Sequence, residues 1–220
     1  MKNLIIIIAL LTFFIQGCTE EEIIITNQGN ITEFQLNVAD FENVSLFGPV
    51  NLRITQGNTI SASVETTQDI FDALTWKVKD QTLEIGFDKN VRFTDPDVAV
   101  WVNVSLPTIE RINSTGLNHI VSQGDLDLPL LALHVSGIAN IELTGKVGEQ
   151  IINVSGVTDL HNFGLETRKT SVFISGTCDL EVSCSETLAI DVSGDAKIRY
   201  KGRPVISQKV TGILDITDSN

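Results

Sequence analysis

The acids, bases and histidines of the second half of this sequence are the residues that could do chemistry. Glycoside hydrolysis needs two carboxylates about 5–9.5 Å apart. Asp125, Asp127, Glu142, Asp159, Asp179 and Glu181 supply carboxylates, and a lyase could set Lys197 or Arg199 among them. These residues fall on alternate positions of extended segments, where a solvated, ion-paired face is the ordinary outcome. Asp159, Asp179, Asp195, Lys197 and Tyr200 are the candidates for a ligand-contacting face, with Tyr200 the aromatic able to stack on a sugar. Trp101 lies in an apolar strand and reads as core. His119, His134 and His161 lack metal-ligand spacing, and no metal site is expected. No Gly-rich phosphate loop opens a helix, and no Ser-His-Asp set stands out from chance. No catalytic residue and no cofactor are expected. Cys178 and Cys184 share parity with Leu180 and Val182. Along one extended strand their Cα atoms would be roughly 20 Å apart, and a disulfide needs less than about 7 Å. Both therefore read as small core residues unless a corner separates them.

Cys18 has a different setting. Met1-Lys2-Asn3 carries one positive charge, and Leu4 to Ile15 is an uncharged apolar run of twelve residues. That is short of the ~20 residues needed to span a bilayer but fits a secretory signal. Gly17-Cys18 follows directly. The pattern resembles the lipobox of bacterial lipoproteins. The resemblance implies cleavage before Cys18, acylation of its thiol and a membrane as partner. Gln16, where a smaller residue is commoner, is the departure. Two or more acyl chains, at about 0.8 kcal/mol per buried methylene, anchor stably. Thr19-Glu20-Glu21-Glu22 resembles the acidic export signal of Bacteroidetes surface lipoproteins. The expected location is the outer membrane, at the cell surface or else facing the periplasm.

The elements that must position the second-half residues are set by a repeat. Ser or Thr precedes glycine, and Ile or Leu follows four residues later, at Gly116, Gly137, Gly156, Gly176, Gly194 and Gly212. The spacings are 21, 19, 20, 18 and 18 residues. Before each glycine apolar residues alternate, as in Leu131, Leu133 and Val135, so one face of a strand is buried. The glycine then sits at a corner, where positive φ or close backbone approach costs it least. A unit of this length cannot bury its own apolar face, but stacked units can. The predicted fold is all-β: a parallel β-helix-like solenoid of coils about 20 residues long. Ser136, Ser155, Ser175, Ser193 and Thr211 should form a hydroxyl ladder. Asn140, Asp159, Asp179 and Asp215 should line an outer edge, interrupted by His119 and Lys197.

The boundaries expected are a signal peptide over 1–17, a lipidated cysteine and acidic tether over 18–30, an irregular N-terminal β portion over 31–107, and repeated coils over 108–220. Residues 31–220 should form one domain, the first portion capping or extending the solenoid. Gly48 is an early copy of the corner, with Phe47 replacing the hydroxyl. Asp69 to Leu74 could make one helical turn capped by Asp69, and Trp76 to Phe87 reads as a hairpin turning at Asp80-Gln81. Fifteen Lys and Arg against 28 Asp and Glu give a net charge of −13, which repels phosphates. Nucleic acid is not an expected partner.

The repeated V-S-G-x-x-[ND]-[IL] units, the Gly48 corner, Leu106-Pro107 before the repeats and Arg199 to Pro204 resemble the "putative auto-transporter adhesin, head GIN domain" family. The resemblance covers roughly residues 34–218. Ser114, where an inward Val is usual, and the bulky Ile138, Val157 and Ile213 after the glycine are departures. The family brings no agreed catalytic residues. Its name implies adhesion: a non-catalytic, membrane-anchored binding or scaffold protein with a glycan or protein ligand. The alternatives are a carbohydrate-active enzyme on the same scaffold and an accessory of another envelope protein.

Overall fold

The computed structural model describes residues 22–26, 29–94 and 100–220. Cys18, the apolar run before it, Glu20 and Glu21 lie outside the described residues. The chain folds into strands β1 (Ile23–Ile25), β2 (Thr32–Leu36), β3 (Asn43–Phe47), β4 (Asn51–Gln56) and β5 (Ser61–Thr66). The helix α1 (Gln68–Ala73) follows, then β6 (Thr75–Lys79), β7 (Thr82–Gly86), β8 (Val91–Phe93) and β9 (Trp101–Leu106). The repeats form β10 (Arg111–Ser114), β11 (Leu117–Ser122), β12 (Leu126–Val135), β13 (Ile138–Glu142), β14 (Gly145–Val154) and β15 (Val157–Ile174). The last strands are β16 (Thr177–Val192), β17 (Asp195–Lys201), β18 (Val205–Val210) and β19 (Ile213–Asp218).

These strands build a parallel solenoid. Wall A holds the segments leading into each corner glycine: β7, β3, β10, then the C-terminal parts of β12, β14, β15 and β16, then β18. Wall B holds the segments leaving it: β9, β4, β11, β13, the first parts of β15 and β16, then β17 and β19. A short third wall joins B back to A, with Leu128, Val147, Thr167 and Cys184 in register. Strand parity sends alternate side chains inward. Val102, Leu52, Ile120, Ile141, Leu160, Leu180, Ile198 and Ile216 form one column along wall B. All are fully buried except Ile216, which packs partly exposed against the core.

The order of the coils departs from the order of the chain. The coil β3–Gly48–β4 is flanked by β7 and β9 on one side and by β10 and β11 on the other. On the β7 and β9 side Gly86 is in register with Phe47 and Phe87 stands against Gly48, so this outer coil has no glycine at its corner. Beyond it both walls end on antiparallel strands: β6 beside β7, and β5 then β2 beside β9. α1 joins those two walls. Its Ile70 is buried, and Phe71 stacks on Phe34 with centroids 4.2 Å apart. The N-terminal portion thus caps and extends the solenoid.

The corner glycines are required for a reason narrower than the one the sequence suggests. Only Gly48 among them has a left-handed backbone, at φ +76°. The others are tied by contact. A Cβ on Gly116, Gly137, Gly156, Gly176, Gly194 or Gly212 would sit 1.8–2.0 Å from the carbonyl oxygen of the glycine one coil below. On Gly86 it would sit 1.8 Å from that of Phe47. The six repeat glycines stack on Gly48 in a continuous column that leaves those six no room for a side chain. Ile138, Val157 and Ile213, just past it, point outward and are more than half exposed, so their bulk leaves the corner undisturbed.

Other expectations are adjusted locally. The helix cap is Thr67 rather than Asp69, which lies in the first turn. The β6–β7 hairpin turns at Asp80 and Gln81, whose φ values of 48° and 56° match a type I′ turn. The segment read as tether contains β1, which pairs parallel with β8. Its three consecutive isoleucines suit a strand. Cys178 and Cys184 are both free and buried. Cys178 lies inside wall B, and Cys184 lies inside the third wall, where its Sγ donates to the Thr187 carbonyl at 3.1 Å.

Candidate ligand-binding faces

The predicted acidic edge exists on the outside of wall B. Trp101, Asn51, His119, Asn140, Asp159, Asp179, Lys197 and Asp215 follow one another in a column. Beside it stand His161, Glu181 and Arg199. Arg199 spans Asp179 at 3.0 Å and Glu181 at 3.1 Å. Lys197 stands 3.7 Å from Asp179, and His161 stands 3.7 Å from Glu181. Asp179 and Glu181 are held in ion pairs across adjacent strands, an arrangement that orients charge and solubilises the wall. At the other end the Arg53 guanidinium lies 3.9 Å over the Trp101 ring. Trp101 is thus on the outer face, not in the core as its apolar neighbours suggested, because strand parity gives the inward places to Val102 and Val104.

The residues singled out from sequence do not form one site. Asp159, Asp179 and Lys197 adjoin in one column. Asp195 is outward but belongs to a second column with Leu117, Ile138, Val157, Thr177 and Ile213. Tyr200 leaves the face altogether. It has the parity of Ile198, packs half-buried against the core, and touches Asp218. It is not the exposed sugar-stacking aromatic that its type suggested.

One concave surface lies on wall A and another, of similar volume, on the third wall. A groove of about 670 Å³ runs along the outside of wall A. One side carries Ser45, Asn113, His134, Asn153, Phe173 and Asp191 in strict register. The other carries four of the five residues of the expected hydroxyl ladder, Ser136, Ser155, Ser175 and Ser193, together with Thr115, all exposed. Hydrogen bonds from Ser136 N to the Ser114 carbonyl and from Ser155 N to the Val135 carbonyl set that ladder at the corner. The hydroxyls of Ser155 and Ser175 reach their nearest carbonyls only at 3.5 Å, so they are available to a ligand. Phe173 is 46% exposed. Asp191 is held by Lys209 at 3.0 Å. Burial, then the charge of Arg111, keeps His134 below the ordinary imidazole value.

Of this lining, sequence reasoning found the hydroxyls and missed the register row. Each row member lies three residues before a corner glycine, so the repeat itself held the signal. Its members share no residue type, and alignment on a consensus passes over them.

Comparison with known proteins agrees with this architecture. The profile of the family described as "Putative auto-transporter adhesin, head GIN domain" matches residues 40–204. No curated protein matches the sequence. A crystal structure of a putative adhesin from Bacteroides fragilis NCTC 9343 superposes with a TM-score of 0.72 at 18% identity, covering 88% of this chain and 99% of that one. A structure called a putative lipid binding protein, from Parabacteroides distasonis ATCC 8503, gives 0.57 at 18% identity, covering 90% and 100%. A putative adhesin from Parabacteroides merdae ATCC 43184 gives 0.55 at 16%, covering 90% and 99%. At these identities the likeness establishes the fold.

Proposed function

This chain belongs to the "putative auto-transporter adhesin, head GIN domain" family, and from that premise we propose that it is a non-catalytic binding protein of the cell envelope whose ligand lies in the wall A groove. The observation that carries the reading is the groove itself: a row of outward amide, imidazole and phenyl side chains beside a ladder of exposed hydroxyls. Concave surfaces with a few convergent polar groups are where ligands bind. Among the described residues lining it, Asp191 is the single carboxylate, and Lys209 holds it. The enzyme alternative would need a second acid across the groove. In this reading Cys18 carries the acyl chains that hold the protein in the outer membrane, with the solenoid displayed at the surface.

Two measurements test it. Labelling with a radioactive fatty acid should mark the wild-type chain and not Cys18→Ser, and protease treatment of intact cells should release peptides of residues 31–220. The full chain in detergent micelles should bind an array of glycans and extracellular proteins. Ser155→Trp, which fills the groove, should abolish that binding, and Asp215→Lys on wall B should not. Equal binding by Ser155→Trp and wild type would remove the groove from the proposal.

A further inference from the structure

The register row in the groove alternates. Asn113, His134, Asn153 and Phe173 lie on successive coils in one unbroken column. An amide is followed by a ring, then an amide, then a ring. Adjacent coils are separated by the strand spacing, about 4.8 Å, so like groups recur every ~9.6 Å. The register shifts of the solenoid fall between Asn162 and Glu166 and between Thr167 and Lys169, away from this column, which therefore runs straight.

Resting on the binding reading above, we infer that the groove takes a neutral, linear polysaccharide of the two-fold ribbon type, such as a β-1,4-linked glucan or N-acetylglucosaminan, lying along the solenoid axis with one sugar per coil. Three features carry this. In such ribbons each sugar advances by close to one strand spacing and is flipped relative to the last, so chemical groups recur every second sugar. The alternation of amide and ring has that period. Phe173, nearly half exposed, offers a flat apolar face to the C–H face of one sugar, and His134 offers a ring two coils away. Asn113 and Asn153 can both donate and accept at hydroxyls, and the serine ladder does the same along the other edge. The third feature is charge. A chain of net charge −13 repels acidic polymers.

The test is calorimetric titration of the full chain in detergent micelles with four hexasaccharides. Cellohexaose and chitohexaose are ribbons, maltohexaose is neutral but helical, and hexagalacturonate is acidic. One or both ribbons should bind, the Asn113–Phe173 row spanning about four of their sugars at about 4.8 Å per coil. Phe173→Ala should weaken binding by about tenfold, equivalent to ~1.4 kcal/mol, with an unchanged Tm reporting an intact fold. Equal or tighter binding of maltohexaose or hexagalacturonate, or an unaffected Phe173→Ala, overturns the assignment. So does failure of all four probes. The broader binding reading then stands or falls separately on the Ser155→Trp array comparison.

Discussion

Gly156 lies directly against Gly137: a Cβ on Gly156 would stand 1.8 Å from the Gly137 carbonyl oxygen. The opposing atom is backbone already committed to a hydrogen bond from Val157 N at 3.0 Å, so it cannot yield. Gly156→Ala should cost about 3 kcal/mol or more, at or above the upper end of ordinary overpacking because the neighbour is rigid. Gly124→Ala is the control. It also replaces a glycine, but nothing lies within 4 Å of its Cβ position, and its φ of +91° leaves only backbone strain of about 1–3 kcal/mol. Urea denaturation should rank the two in that order.

Leu180 and Val157 are aliphatic residues on neighbouring wall B strands, and their fates should differ. Leu180 is fully buried between Leu160 and Ile198, so Leu180→Ala should lose about 2–5 kcal/mol. Val157 is about half exposed, and Val157→Ser should stay within about 0.5 kcal/mol of wild type. Thermal melts of the pair check the assigned parity directly.

Asn118 pins the early coil to the first regular one. Its Nδ2 donates to the carbonyls of Gly48 at 3.0 Å and Val50 at 2.6 Å. Its Oδ1 accepts from the Ser114 hydroxyl at 2.6 Å and from Gly116 N at 3.2 Å. This explains why Ser114 stands where the repeat otherwise carries an inward aliphatic. Asn118→Asp keeps the shape but turns two donated bonds into oxygen-to-oxygen repulsion in a buried site. It should cost about 3 kcal/mol or more, and amide exchange should quicken in β4 and β11 first.

Cys178 should be silent to alkylation. Burial, and secondarily the charges of Asp179 and Asp159, push its thiol up to about 12, and the thiolate is the reactive form. Iodoacetamide at pH 8 should leave it unmodified until denaturant unfolds the chain. The native state holds this proton while the unfolded chain releases it above about pH 8.5. Stability should therefore fall as pH rises from there toward the native value. Cys178→Ala should flatten that part of the stability–pH curve.

The fold was legible because its period is written twice, once in the alternation of Leu131, Leu133 and Val135 and once in the spacing of the Ser-Gly corners. The Ile141–Leu160–Leu180–Ile198 column follows from those two signals alone. The outer coil was hidden because it carries Phe87 rather than a glycine against Gly48, and because the chain detours through β8 before resuming at β9. The face of Trp101 was misjudged because in a strand as apolar as β9 composition does not say which side is inward. Parity is fixed by pairing with β4, a contact between residues 50 positions apart. Tyr200 was misplaced for a related reason, as amphipathic residues fit either side of a strand near a solenoid end. The groove row escaped because register, rather than residue type, is what unites Asn113, His134, Asn153 and Phe173.

The coil built by β3 and β4 is made first by the ribosome, yet it is lodged between two neighbours made later. Vectorial growth of the pile, one layer added per layer synthesised, is therefore closed to this nascent chain at its start. Residues 43–56 must wait with one edge bare until residue 106 has emerged and with the other bare until residue 122 has, and the first stable nucleus has to gather segments far apart in sequence. Refolding should accordingly be slow, as high contact order dictates, and the early coil is where a holding chaperone would have most to protect.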